Sequence, residues 1–280
     1  MGEKRSAKNR GREGFFTALI IALCLIMAVL EAVEIRYTAD KVKNKLIGDT
    51  LPLVLGAVAV VVLMIRGGSG LFQKPQKLLF LLPCMLVAVN NFPYASHFSG
   101  KSELTHATAG NLALFAAYCL MVGVFEECVF RGVLFPLLAG CFNADRKGVI
   151  LTFFLSSVIF GASHILNLFV GAGLVPTLLQ VGYSTLIGGL CAFALMKTKN
   201  ILSCILVHAT YDFAGLMLPT LGGGAVFDLA TGFCMGIVGV LVAAFVLWSV
   251  FRYTEDEREA LYARLGFGVL RETGKTATAE

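Results

Sequence analysis

Eight stretches of this chain read as helices that cross a membrane: Phe15 to Val33, Leu51 to Ile65, Leu78 to Val89, Asn111 to Leu138, Val149 to Val170, Leu174 to Met196, Ile201 to Leu218 and Leu229 to Phe251. A crossing helix needs about 20 mostly apolar residues. The second and third runs are short, and the third holds Pro83 and ends at Asn90, Asn91 and Pro93. Composition agrees: 57% of the 280 residues are hydrophobic and only 15% charged, against about a quarter charged in ordinary soluble domains. A soluble fold this apolar could not cover its surface. The expected class is an all-α polytopic membrane bundle of about eight transmembrane helices. The net charge of +5 forms no patch, because the basic residues sit at segment ends, so nucleic acid is not an expected partner. The cysteines are spaced singly with no C-x-x-C and read as small buried hydrophobes. The first apolar run is long enough to span and shows no cleavage site.

Lysine and arginine orient the bundle. With a cytoplasmic N-terminus, 17 basic residues fall on that side and 5 on the other (Arg36, Lys41, Lys43, Lys45 and Lys101), which predicts that both termini are cytoplasmic. The chain divides into a basic N-terminus (1–14), N-terminal transmembrane helices (15–110), a core (111–218), a last transmembrane helix (219–251) and a cytoplasmic tail (252–280). Gly232 with Gly236, and Ser184 with Gly188, have the spacing of close helix contacts. In the tail, Thr254 and Glu257 form a capping-box pattern ahead of a short surface helix, with a disordered end from Glu272.

Ionisable groups inside a span cost roughly 2.5–3.5 kcal/mol each and need a reason. Glu126, Glu127, Arg131, His164, His208 and Asp212 lie well inside three different spans. At about 100° per residue, Glu127 and Arg131 fall about 40° apart, an i,i+4 pair on one face. Glu126 points elsewhere, which leaves a carboxylate free for chemistry. His208 and Asp212 are also i,i+4, so the aspartate can orient the imidazole. Phe160, one turn before His164, reads as wall, and His97 and His106 as loop histidines without a role. The set suits acid–base work on water, a proton path in a transporter, or a metal site. Spacing alone leaves hydrolase and proton-coupled transporter open.

Three ordered motifs narrow this: E-E-x-x-x-R at Glu126 to Arg131, F-x-x-x-H at Phe160 to His164, and H-x-x-x-D at His208 to Asp212. Together, over about Leu114 to Leu216, they resemble the CAAX protease and bacteriocin-processing (CPBP, Abi) family, related to the type II CAAX prenyl proteases. The resemblance implies an intramembrane endopeptidase in a bacterial cell membrane. It implies that Glu126 activates water with help from His164, and that His208 and Asp212 lie near the scissile carbonyl oxygen. Glu127 and Arg131 fill the remaining motif positions, and Asn167 falls at a position often polar in bacterial members. An ionised Asp212 cannot donate a hydrogen bond, so it is read as orienting His208, which alone donates to the oxyanion.

No cofactor is favoured. Zinc is the alternative, held by His164, His208 and a carboxylate. The implied partners are the lipid bilayer and a membrane-protein or lipidated peptide substrate, with prenylated C-termini, peptide leaders and other membrane proteins all open. Against the endopeptidase stand a proton-coupled transporter, for which no internal repeat is present, and a non-catalytic immunity or scaffold protein.

Overall fold

The structure, a computed structural model, describes residues 38–225 and 228–267. Its helices are α1 (Lys41–Arg66), α2 (Leu81–Asn90), α3 (Tyr94–Phe98), α4 (Ala109–Glu127), α5 (Phe135–Gly140), α6 (Arg146–Ser163), α7 (Leu174–Thr198), α8 (Ile201–Leu221), α9 (Leu229–Phe251) and α10 (Glu255–Leu265). A π-helical turn, Cys128–Leu134, joins α4 to α5, and a 3-10 turn, His164–Val170, follows α6. Among the described residues six helices are long and apolar enough to cross a membrane: Lys41–Arg66, Ala109–Gly140, Arg146–Phe169, Leu174–Thr198, Ile201–Leu221 and Leu229–Phe251. The expected third span is a shorter apolar helix, Leu78–Asn90. The expected span Phe15 to Val33 and the expected disordered end from Glu272 lie outside the described residues. The chain expected to form a loop up to Thr50 is already helical from Lys41, so Asp49 rides on α1.

Polar residues set the helix starts. Asp40 accepts from the Val42 N–H at 2.9 Å, Asp145 from Gly148 at 2.7 Å, Asn200 from Ser203 at 3.1 Å and Asp228 from Thr231 at 2.9 Å. Each satisfies an amide that the helix itself leaves unpaired. The π turn has a cause in sequence. Pro136 lies in the first turn of α5 and lacks an N–H. Just upstream the backbone widens, and the Phe135 N–H reaches back five residues to the Phe130 carbonyl.

The bundle has two different ends. At one, Asn200 Nδ2 donates to the Gln73 carbonyl at 2.7 Å, the Gln76 N–H to the Thr198 carbonyl at 2.9 Å, and Arg264 Nη1 to the Lys199 carbonyl at 3.1 Å. The tail helix α10 is therefore strapped across the α7–α8 turn. Its capping box is present, with the Glu257 N–H on Thr254 Oγ1 at 3.3 Å and the Thr254 N–H on Glu257 Oε2 at 3.2 Å. Glu257 also takes Lys77 at 2.6 Å and Lys197 at 3.1 Å. Burial pushes its carboxyl up, but the hydrogen bonds from the two lysines outweigh this and hold it below the usual glutamate value. The helix expected at the surface instead buries Leu261, Tyr262 and Leu265. At the other end Lys101 pairs with Asp228 at 2.7 Å, and Ser102–Glu103 pairs antiparallel with Gly223–Gly224.

Glycines bring the site-bearing helices into backbone contact. A Cβ at Gly123 of α4 would stand 3.2 Å from the Ala209 nitrogen and the Ile205 carbonyl of α8. One at Gly161 of α6 would run into Thr185 of α7 and stand 2.7 Å from the Val181 carbonyl. Ser184 and Gly188 of α7 are likewise packed, as their spacing predicts. Gly236 is not: a Cβ there meets nothing within 4 Å among the described residues. The cysteines split, with Cys84, Cys119, Cys128, Cys191 and Cys204 buried and Cys141 and Cys234 exposed.

Gly161→Ala should push α6 from α7 and cost about 1–3 kcal/mol, the usual penalty for overpacking. Thermal unfolding of the purified protein in detergent reads this. An unchanged midpoint would mean that the two helices separate freely.

Candidate active site

The six ionisable residues come from α4, the π turn, the end of α6 and α8, and the structure brings three of them onto the imidazole of a fourth, His208. His208 is buried two turns into α8. Its Nδ1 lies 2.7 Å from Glu127 Oε1, and its Nε2 lies 3.4 Å from Asp212 Oδ2 and 3.8 Å from Glu126 Oε2. The same Glu127 oxygen accepts from Arg131 Nη1 at 2.9 Å.

Glu127 and Arg131 are paired within one helical segment and are wholly buried. Arg131 is held at a second point, donating through Nη2 to the Gly188 carbonyl at 2.6 Å. Its guanidinium carbon sits 4.5 Å from the centre of the Phe160 ring, a cation–π contact that water does not weaken here. A Cβ at Gly188 would stand 3.1 Å from Arg131 Nη2 and 3.0 Å from Phe160, so the glycine makes room for both.

Glu127 thus does more than neutralise Arg131. A carboxylate only accepts, so the short contact assigns the proton to His208 Nδ1. That is the orienting position expected for Asp212. Asp212 instead faces Nε2, the other ring nitrogen.

His164 closes α6. Its Nδ1–H donates to the Phe160 carbonyl at 3.1 Å, and Ser163 Oγ donates to the same oxygen at 2.7 Å. The two side chains satisfy a carbonyl that the ending helix leaves open. Because a carbonyl only accepts, His164 Nε2 is the unprotonated nitrogen when the ring is neutral. The Phe160 ring meets both imidazoles edge to face, 5.3 Å from His164 and 5.6 Å from His208. Asn167 turns away to Gln180 of α7 at 2.8 Å.

Exposure separates the roles. The Glu127 and Arg131 side chains are 0% exposed, whereas Glu126 is 26% and Asp212 16% exposed. The two reachable carboxylates flank His208 Nε2, and the sealed one holds its other nitrogen. The sequence reading missed the Gly188 carbonyl, Cys191 and Gln180. The small-residue spacing at Gly188 was the available signal for the first.

Among the described residues the group that could hold a metal is Glu127, Cys191 and His208, which does not include His164. It fits a catalytic metal poorly. All three residues are buried, whereas a catalytic zinc keeps an open position, and the Arg131 charge sits on the ligand oxygen itself.

Arg131→Ala should lower abundance and stability more than it changes chemistry. It strands a buried carboxylate, which costs about 3–5 kcal/mol in comparable pairs. A stable, well-expressed but inactive Arg131→Ala protein would place Arg131 in the chemistry instead.

Residues 108–214 match a family model described as type II CAAX prenyl endopeptidase Rce1-like. CAAX prenyl protease 2 of Arabidopsis thaliana is 24% identical over 162 residues, covering 54% of this chain and 50% of that protein. The chain thus spans about half the length of the curated relative it matches. No solved structure matches it.

Proposed function

We propose that this chain, whose residues 108–214 belong to the type II CAAX prenyl endopeptidase Rce1-like family, hydrolyses peptide bonds within the membrane. Its substrates are membrane-associated or prenylated proteins or peptide leaders. The observation that carries the reading is His208, with Nδ1 on the sealed Glu127 and Nε2 facing the two reachable carboxylates, Glu126 and Asp212.

In this mechanism Glu126 takes a proton from water, and His164 accepts the water's other hydrogen through Nε2 and so positions it. The hydroxide adds to the scissile carbonyl. His208 Nε2, when protonated, donates to the oxyanion that forms. Collapse breaks the C–N bond, and Glu126 returns its proton to the leaving amine. Glu127 is a positioning residue: it fixes the ring that must face the carbonyl. Asp212 borders Nε2 and balances charge there. Asn167, one turn beyond His164, acts through Gln180 at the edge of the site. No step needs a metal.

The test is cleavage of quenched apolar peptides, farnesylated and unmodified, by the purified protein. Glu126→Gln and His164→Ala should each lose about 100-fold or more, the usual worth of a positioned acid–base group. Asp212→Asn should be mild. Metal analysis of active protein should find no stoichiometric zinc. Equal rates in wild type and Glu126→Gln would favour a scaffold, and one zinc per chain, lost together with activity in His208→Ala, would replace the glutamate-base mechanism.

A further inference from the structure

A second group of charges lies where two spans end, away from the catalytic imidazole. α7 closes at Thr198 and α9 at Phe251, and the Tyr253 hydroxyl ties the two ends by donating to the Met196 carbonyl at 2.6 Å. Trp248, exposed in the last turn of α9, carries Arg252 over its ring at 4.9 Å. Tryptophan at a span end sits at the level of the lipid headgroups. The α7–α8 turn, α10 and the 70–77 segment meet at that level, joined by the hydrogen bonds of Gly70, Gln76 and Arg264.

Lys77, Lys197, Lys199 and Arg264 share this seam with the carboxylate of Glu257. Lys77 and Lys197 both reach Glu257, at 2.6 and 3.1 Å. Lys197 is also held over the Phe80 and Tyr253 rings, at 4.9 and 5.1 Å. Arg264 Nη1 donates to the Lys74 and Lys199 carbonyls at 2.9 and 3.1 Å. Glu255 and Glu259 of α10 face Arg258 instead, each at 3.9 Å. A single carboxylate thus serves four cations, and the charge left over is positive.

Lys199 is the member without a partner. The residue is 1% exposed, and among the described residues its ammonium makes no hydrogen bond or ion pair. Burial, and then the Lys77 charge beside it, push the ammonium down to about 8, so it is still a cation at pH 7. An enclosed cation calls for a counter-ion. The backbone sharpens the point. Lys199 and Lys77 both have positive φ, 53° and 42°, in the left-handed region that glycine or asparagine enters more readily. Lysine therefore stands at two turns where another residue would fold more easily, and the two lysines bear on one another across the seam.

We propose that this seam binds a phosphate group, supplied by the headgroup of an anionic phospholipid, with Lys199 as the ligand that the protein itself leaves unpaired. Phosphate oxygens accept several charge-assisted hydrogen bonds at once. That suits an enclosed lysine beside a reachable one, since the Lys77 side chain is 45% exposed. Basic pockets between the ends of spans take such headgroups. Bound between Lys199 and Lys77, the phosphate joins the α7–α8 turn to the 70–77 segment and relieves the repulsion between the two ammonium groups. The proposal does not depend on the endopeptidase reading above.

The test compares the full-length wild type with Lys199→Gly and Lys199→Gln, purified in detergent and supplied with phosphatidylcholine, phosphatidylglycerol or inorganic phosphate. Lys199→Gly removes the ammonium and suits the left-handed turn, so its unfolding midpoint in phosphatidylcholine should equal or exceed that of the wild type. Lys199→Gln repeats the comparison with the stem kept. Native mass spectrometry should find one phosphatidylglycerol retained by the wild type in preference to phosphatidylcholine. Both variants should hold it about tenfold more weakly, the effect of losing one hydrogen bond to a charged group. Phosphatidylglycerol should also raise the unfolding midpoint of the wild type and leave those of the variants unmoved. A midpoint raised by inorganic phosphate and not by the lipid, with the rise lost in both variants, would support the phosphate site and overturn its lipid source. Equal retention of phosphatidylglycerol in wild type and both variants would overturn the site, as would a wild type that neither prefers phosphatidylglycerol nor responds to phosphate.

Discussion

The site hangs on one carboxylate oxygen. Glu127 Oε1 accepts from Arg131 within its own helix and from His208 across to α8. In a medium without water, three groups that would each be costly alone become mutual partners. Removing any one strands the others, so the arrangement is all or nothing. The consequence for function is orientation. With Nδ1 held on Glu127, the imidazole has one free nitrogen, and it points where Glu126 and Asp212 can be reached.

The helices reach this geometry through backbone contact rather than through long side chains. Between lipid-facing helices burial supplies little drive, so association depends on close packing and on polar contacts between helices. Gly123 lets α4 touch α8, which carries Glu126 and Glu127 up to His208. Gly161 lets α6 touch α7, and Gly188 admits Phe160 and Arg131 together. Phe160 then serves both halves, with its edge contacts on two imidazoles and its face under the guanidinium.

Much of this was legible in the sequence, for identifiable reasons. Apolar length reports spans, because lipid imposes it. The i,i+4 spacing of Glu127 and Arg131 reports their pairing, because one helix fixes both. What spacing cannot report is contact between helices. His208 and Glu127 are 81 residues apart in sequence, so the orienter was sought at Asp212, the nearest carboxylate on the same helix. The π turn was likewise hidden, since Pro136 reads only as a break until the backbone shows how it is accommodated. The α10 helix looked like a surface helix because its buried face is short, and its charged residues find partners in loops far away in sequence. At Gly236 the spacing was present without a partner among the described residues.

The central claim is that two adjacent glutamates divide the work, Glu127 holding the site together and Glu126 doing its chemistry. Thermal unfolding of Glu126→Gln and Glu127→Gln, purified side by side in the same detergent, tests it most directly. The account predicts a wild-type midpoint for Glu126→Gln and a loss of about 3–5 kcal/mol for Glu127→Gln, whose buried arginine would be left uncompensated. Equal midpoints, or a greater loss in Glu126→Gln, would contradict it.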